Sequence, residues 1–175
     1  KIFDQKNKEL DEGKVGYIFI KSDSLFDGYY NNQKLTNESF YNNWFNTGDL
    51  GFFYGGELHV TGRKKEIIIV AGENIYPQDI EKVINNSDGC IEGRNVAFGI
   101  QDNRVGTEKV IVIAEIYEKE KNIININAIK KEIFNLLNIV ISEIILVPHK
   151  SLVKSTAGKI SRHLNKEKYI SGDFD

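Results

Sequence analysis

The chain has 175 residues, 41% hydrophobic and 27% charged, enough for one ordinary domain or for a small domain beside part of another. Its 23 Lys and Arg nearly balance 25 Asp and Glu, and the net charge of −2 gives no reason to expect a nucleic-acid or polyanion partner. No apolar run reaches membrane-spanning length, the first residues are polar rather than signal-like, and the single cysteine, Cys90, excludes an internal disulfide and points to a reducing, cytoplasmic setting.

Residues 1–14 are polar and charged and read as a solvated lead-in. Residues 15–20 form a short β-rich run closed by Lys21-Ser22-Asp23-Ser24, and residues 27–43, rich in Asn and Tyr, read as loop with one helical turn. Residues 50–54 and 57–61 are apolar-aromatic runs separated by Gly55-Gly56, which predicts a hairpin. Residues 66–71 continue the β character through Ile67-Ile68-Ile69-Val70. Pro77 then suits a first helical turn, with Asp79 and Glu81 near the positive helix end and Ile80, Val83 and Ile84 on one face. Residues 85–89 end that helix, and residues 95–100 and 109–117 read as two strands joined around Gly106. A second amphipathic helix is expected with Asn127 as N-cap and Ile129, Ile133, Leu136 and Leu137 inward. Residues 143–147 make a third strand, stopped at Pro148. The order strand-helix-strand-strand-helix-strand predicts an α+β unit with helices packed on a small sheet, and its boundary with an all-β piece falls near residues 63–65.

The chemistry-bearing runs are three. Asn46-Thr47-Gly48-Asp49-Leu50 is followed, thirteen residues past Asp49, by Gly62-Arg63-Lys64-Lys65. Gly72-Glu73-Asn74-Ile75-Tyr76-Pro77-Gln78-Asp79-Ile80-Glu81 sits between a β-run and a Pro-started helix, where the glycine permits a positive φ and close approach to a ligand. Lys154-Ser155-Thr156-Ala157-Gly158-Lys159-Ile160-Ser161-Arg162 superficially matches a nucleotide P-loop, but Val153 stands where the first glycine belongs and Ile160 where Ser or Thr belongs. Three dispersed histidines and one cysteine leave no metal-ligand cluster.

Together these runs resemble the carboxy-terminal motifs of the adenylate-forming ligases, a superfamily of acyl-CoA synthetases, fatty acyl-AMP ligases and peptide-synthetase adenylation domains; the resemblance spans about residues 16–162. It implies that residues 1–64 are the β-rich end of a large amino-terminal domain. Residues 65–175 would then be a small carboxy-terminal lid, a three-stranded sheet with helices plus a β-hairpin. In that pattern Thr47 and Asp49 bind nucleotide, the Asp49 carboxylate accepting hydrogen bonds from the vicinal ribose hydroxyls. Taken alone, Gly48-Asp49 would be an ordinary turn. Arg63 falls near the ribose, Lys65 at the hinge, and Gly72, Glu73 and Asn74 along the path of the incoming thiol. Lys159 becomes the catalytic lysine, bridging the substrate carboxylate and the α-phosphate and offsetting their mutual repulsion. Lys64 reads as a solvated charge, and Arg162 is given no role.

The implied reaction condenses a carboxylic acid, fatty or otherwise hydrophobic, with ATP and Mg²⁺, then passes the acyl group to CoA or to the phosphopantetheine of an acyl carrier protein. Residues 72–77 match acyl-CoA synthetases, whereas residues 76–81 and 108–115 resemble fatty acyl-AMP ligases, and no clear Asp-x-x-x-Gly-Glu run follows the second strand. The family's phosphate-binding loop and acyl pocket are absent from this sequence. With no methionine and a lysine at position 1, the chain is expected to be part of a longer product and inactive alone. The rival reading keeps the fold but makes residues 66–175 a non-catalytic module that binds a carrier protein or subunit.

Overall fold

The computed structural model describes residues 1–174, which divide into two compact units, Lys1–Lys65 and the chain from Glu66 onward. The first unit is one sheet. Strands β1 (Ile2–Phe3), β2 (Gly16–Ile20) and β4 (Trp44–Tyr54) lie side by side and antiparallel. The other edge of β4 pairs with β3 (Phe40–Tyr41) at its start and with β5 (Glu57–Arg63) at its end. The hairpin between β4 and β5 turns at Gly55 and Gly56, both with positive φ, as the sequence predicts.

One expectation for this unit fails and another is exceeded. Residues 1–14 do not all form a solvated lead-in, because Ile2 and Phe3 are buried, and the Phe3 ring packs edge-on against Phe19 at 4.9 Å. Two large apolar side chains suffice to seat an otherwise polar segment on a sheet edge. Within residues 27–43 the single helical turn is a real helix, α1 (Gln33–Ser39), capped by the Asn32 side chain accepting from Leu35 N–H.

The second unit begins with a small hairpin, β6 (Ile68–Val70) and β7 (Glu73–Ile75), entered through a 3₁₀ turn over Lys64–Glu66. Helix α2 (Pro77–Asn85) starts with Pro at its first turn and buries Ile80, Val83 and Ile84. A three-stranded sheet follows in the order β10 (Ile141–Pro148), β9 (Thr107–Ile116), β8 (Cys90–Asp102), with β8–β9 antiparallel and β9–β10 parallel. Helix α3 (Ile126–Leu137) makes the crossover that a parallel pair requires. Central β9 is buried on both faces, which is why its sequence runs Val110-Ile111-Val112-Ile113-Ala114 instead of alternating with polar residues. Ala97, Val110, Val112 and Ile144 form one core with α2 and α3; Val96, Phe98, Ile111, Ile113 and Val147 form the other with Leu152. The three-stranded sheet, its helices and the separate hairpin make the α+β fold expected.

Three details differ. The cap of α3 is Asn125, accepting from Ala128 N–H at 3.0 Å, not Asn127, which lies inside the helix. Leu136 is 64% exposed, so the inward stripe is Ile129 and Ile133 with Leu137 at its margin. A further helix, α4 (Arg162–Ile170), begins where no element is read from the sequence; its Tyr169 packs with the second core.

Candidate functional site

In the first unit, Asp49 and Arg63 stand directly opposite one another on β4 and β5. Gly48 takes a φ of 77°, a conformation that a side chain would strain, and so turns the chain between Thr47 and Asp49. Asn46 Oδ1 accepts from Gly48 N–H at 2.9 Å, and Thr47 Oγ1 accepts from Asp49 N–H at 3.1 Å and donates to Ile18 O at 3.1 Å. Thr47 thereby fixes the backbone that presents Asp49. The Arg63 guanidinium donates to Thr47 O and lies 2.9 Å, through Nε, from Asp49 Oδ1. Oδ2 makes no hydrogen bond with a described residue. The carboxylate side chain is 36% exposed, so an oxygen remains open to a hydroxyl donor.

Lys65 is exposed in the 3₁₀ turn with which the first unit ends. In the second unit, Gly72 sits with Ala71 in the two-residue turn between β6 and β7, both at positive φ. Glu73 and Asn74 are not loop residues but belong to β7, exposed, paired with Val70 and Ile69. The hairpin is tied to β9: Thr107 Oγ1 accepts from Ala71 N–H and donates to Ile69 O, and Glu108 accepts from Ile69 N–H.

Lys159 is exposed on a tight hairpin. Lys154 and Ile160 form an antiparallel bridge, Ser155 N–H donates to Lys159 O at 2.8 Å, and Gly158 N–H donates to Ser155 O at 2.8 Å. Lys159 makes no ion pair with a described residue. It borders a cavity of about 310 Å³ together with Glu81, Asn85, Asn95 and Lys154. Among the described residues no group of three or more His, Cys, Asp or Glu is placed to hold a metal ion.

Two residues unassigned from the sequence organise this region. Arg162 donates through Nε to Ala97 O at 2.8 Å and forms 2.6 Å ion pairs with Glu66 and Glu81. Burial pushes the Glu81 carboxyl above its usual range, although Arg162 and the Ala97 N–H oppose the rise. Glu115 is fully buried in β9 and accepts two hydrogen bonds from Arg94 at 2.7 Å and one each from Lys150 N–H and Leu152 N–H. Burial alone would push its carboxyl up; the Arg94 guanidinium and the two backbone N–H groups outweigh it and hold the carboxyl below its ordinary range. A charge in the midst of an apolar strand was the available signal for Glu115.

The family profile of the Disco-interacting protein 2-like AMP domain matches residues 65–175. The chain belongs to this family. It is therefore a member of the adenylate-forming superfamily, as its motifs imply. It is 33% identical to the 4-hydroxyphenylalkanoate adenylyltransferase of Mycobacterium tuberculosis over 93% of this chain and 29% of that protein. It is 30% identical to the medium-chain fatty acid–acyl-carrier-protein ligase JamA of Moorena producens, over 93% of this chain and 29% of JamA. The structure of McyG A-PCP complexed with phenylalanyl-adenylate superposes with a TM-score of 0.86 at 30% identity, over 99% of this chain and 32% of that one. This family member thus spans less than a third of the length of these relatives.

Proposed function

We propose that the chain is the carboxy-terminal portion of an ATP-dependent carboxylate ligase that makes acyl-AMP and hands the acyl group to the phosphopantetheine thiol of a carrier protein. Residues 1–64 are the end of the large domain and residues 65–175 the lid. In the first half-reaction a carboxylate oxygen attacks the α-phosphorus of ATP, the bond to the β-phosphate oxygen breaks, and pyrophosphate leaves. In the second the thiol attacks the acyl carbon and AMP departs.

The observation that carries this reading is Lys159: an exposed cation with no ion pair to a described residue, displayed on a clamped hairpin within a domain of the adenylate-forming family. A lysine so held is available to two approaching anions, and preorganised charge of this kind contributes on the order of 10²–10³ in rate. Asp49, with Thr47 and Arg63 bracing it, takes the ribose; Lys65 is the hinge; Gly72, Glu73 and Asn74 line the thiol's path. ATP brings Mg²⁺ on its phosphates. A hydrophobic acid and a carrier-protein acceptor are supported by the names of JamA and the McyG A-PCP complex, which describe those proteins. The half-buried lone Cys90 supports a cytoplasmic setting.

The test is made in the full-length protein with ATP, Mg²⁺ and a panel of fatty and aromatic acids, following acyl-AMP by mass spectrometry. CoA or a phosphopantetheinylated carrier protein is then added. Acyl-AMP that persists with CoA and is consumed by the carrier protein is the expected result, and Lys159→Ala is expected to lose acyl-AMP formation about 10²–10³-fold. Acyl-CoA formation would replace the carrier protein with CoA. Unchanged turnover of Lys159→Ala would remove the role given to that residue, and absence of acyl-AMP and thioester across the whole acid panel would favour the binding-module reading.

A further inference from the structure

We propose that Asn165 is a positioning residue for Lys159: its buried side-chain amide clamps the two feet of the hairpin that displays the lysine. The inference rests on the adenylation role of Lys159 given above. Residues 156–159 are all exposed, so no apolar packing fixes the tip of the hairpin. Lys159 has no ion pair with a described residue to hold its side chain. The region its flexible side chain can reach is therefore set by the backbone, and the backbone is set at the base.

At that base stands Asn165, fully buried on the first turns of α4. Its Oδ1 accepts from Val153 N–H at 2.9 Å, and its Nδ2 donates to Val153 O at 2.9 Å and to Ser161 O at 2.7 Å. Val153 O also accepts from Ser161 N–H at 3.0 Å, closing the two feet on each other. Val153 precedes the Lys154–Ile160 bridge and Ser161 follows it, so one amide grips both ends of the segment that contains Lys159. The chemistry admits little substitution. A carboxylate would turn negative charge toward two carbonyl oxygens, and an apolar side chain would leave the Val153 N–H without its acceptor; only an amide supplies an acceptor and two donors together. The outer flanks are held separately: Glu115 takes the N–H groups of Lys150 and Leu152, and Arg162 ties the start of α4 to Glu66 and Glu81. Asn165 thus governs the hairpin itself, while those two pairs govern the elements on either side.

The experiment uses Asn165→Leu and Asn165→Ser in the full-length protein. It measures acyl-AMP formation, acyl transfer from supplied acyl-AMP to CoA and to a phosphopantetheinylated carrier protein, and amide hydrogen exchange. Misplacing a reacting group by about 1 Å costs about 10²-fold, so acyl-AMP formation is expected to fall about 10–100-fold. Transfer from supplied acyl-AMP is expected to be little changed, because the role proposed for Lys159 lies in the first half-reaction, and faster exchange is expected only in residues 153–161. The serine variant gives the same reading if the leucine variant does not fold. Adenylation at the parent rate in a folded variant overturns the proposal. So does an equal loss in both half-reactions, or failure of both variants to fold, since each makes Asn165 a general packing residue. Lys159→Ala is run alongside: if it adenylates normally, the reading of Lys159 itself has failed, whereas a dead Lys159→Ala beside fully active Asn165 variants rejects the clamp alone.

Discussion

Replacing Glu115 by glutamine tests the buried charge on which the second unit is organised. The Glu115 side chain is fully buried and that of Arg94 is 12% exposed. Oε1 takes Arg94 Nη2 and Leu152 N–H, while Oε2 takes Arg94 Nε and Lys150 N–H. Glutamine is nearly isosteric, but its NH₂ would face one guanidinium donor and one backbone donor, whichever way the amide is turned. Leaving the guanidinium buried without its anion costs about 3–5 kcal/mol. The orphaned backbone N–H costs about 1–3 kcal/mol. Both effects act through one carboxylate and do not add fully, so a loss of about 4–6 kcal/mol is expected, a large part of the about 5–15 kcal/mol typical of a whole protein. The assay is urea unfolding followed by the far-ultraviolet helical signal, which comes mainly from α2, α3 and α4. The pH dependence supplies a second check. The folded carboxyl titrates below the ordinary glutamate range, so its stabilising contribution is complete above that range and is lost as pH falls through the folded pKa. The gap between parent and variant should therefore narrow as pH falls into the acid range where the folded carboxyl takes up its proton. Arg94→Met added to Glu115→Gln should recover part of the loss, since the unpaired charge is gone. A loss under about 1 kcal/mol at neutral pH, against the scale of a broken buried pair, would refute the reasoning.

Ile133→Ala should cost about 2–5 kcal/mol because its side chain is fully buried, whereas Leu136→Ala, three residues on in the same helix, should stay within about 0.5 kcal/mol. Equal losses in thermal or urea unfolding would mean that the face of α3 is misassigned. Asp49→Ala in the full-length protein should raise the KM for ATP about 10–100-fold, the worth of a charge-assisted hydrogen bond of about 1.5–3 kcal/mol; an unaltered KM would remove the ribose role. Gly51→Ala should destabilise the first unit by about 1–3 kcal/mol, since a Cβ there strikes the His59 carbonyl oxygen and crowds Ile18, and a neutral effect on unfolding would contradict the close approach of β4 to β5.

What could be read ahead of the structure was local. The Gly55-Gly56 turn, the Pro77 helix start, the Ile80, Val83 and Ile84 face and the continuous apolar run of β9 each follow from periodicity or backbone chemistry within a dozen residues. The Thr47-Gly48-Asp49, Gly62-Arg63 and Gly158-Lys159 runs were legible for the same reason, being contiguous. Helical pattern was misjudged where a position lay at the margin of the face: Leu136 has the hydrophobicity of an inward residue but falls on the exposed side of α3. The seating of Ile2 and Phe3 on β2 was missed because two residues carry no period.

The sequence by itself determined the central strands and the helices α2 and α3, that they make an α+β unit after a β-rich one, and which motifs place the chain in its family; it did not reveal β1 or α4. Tertiary structure alone decided the partners of its buried polar groups. Arg162 meets Glu66 and Glu81 across 96 and 81 positions, Glu115 meets Leu152 across 37, and Asn165 closes back on Val153 across 12. Periodicity records how a residue faces its own element. It holds nothing about which distant donor will satisfy a buried acceptor, because that pairing exists only once the sheet and helices have packed and water has been excluded.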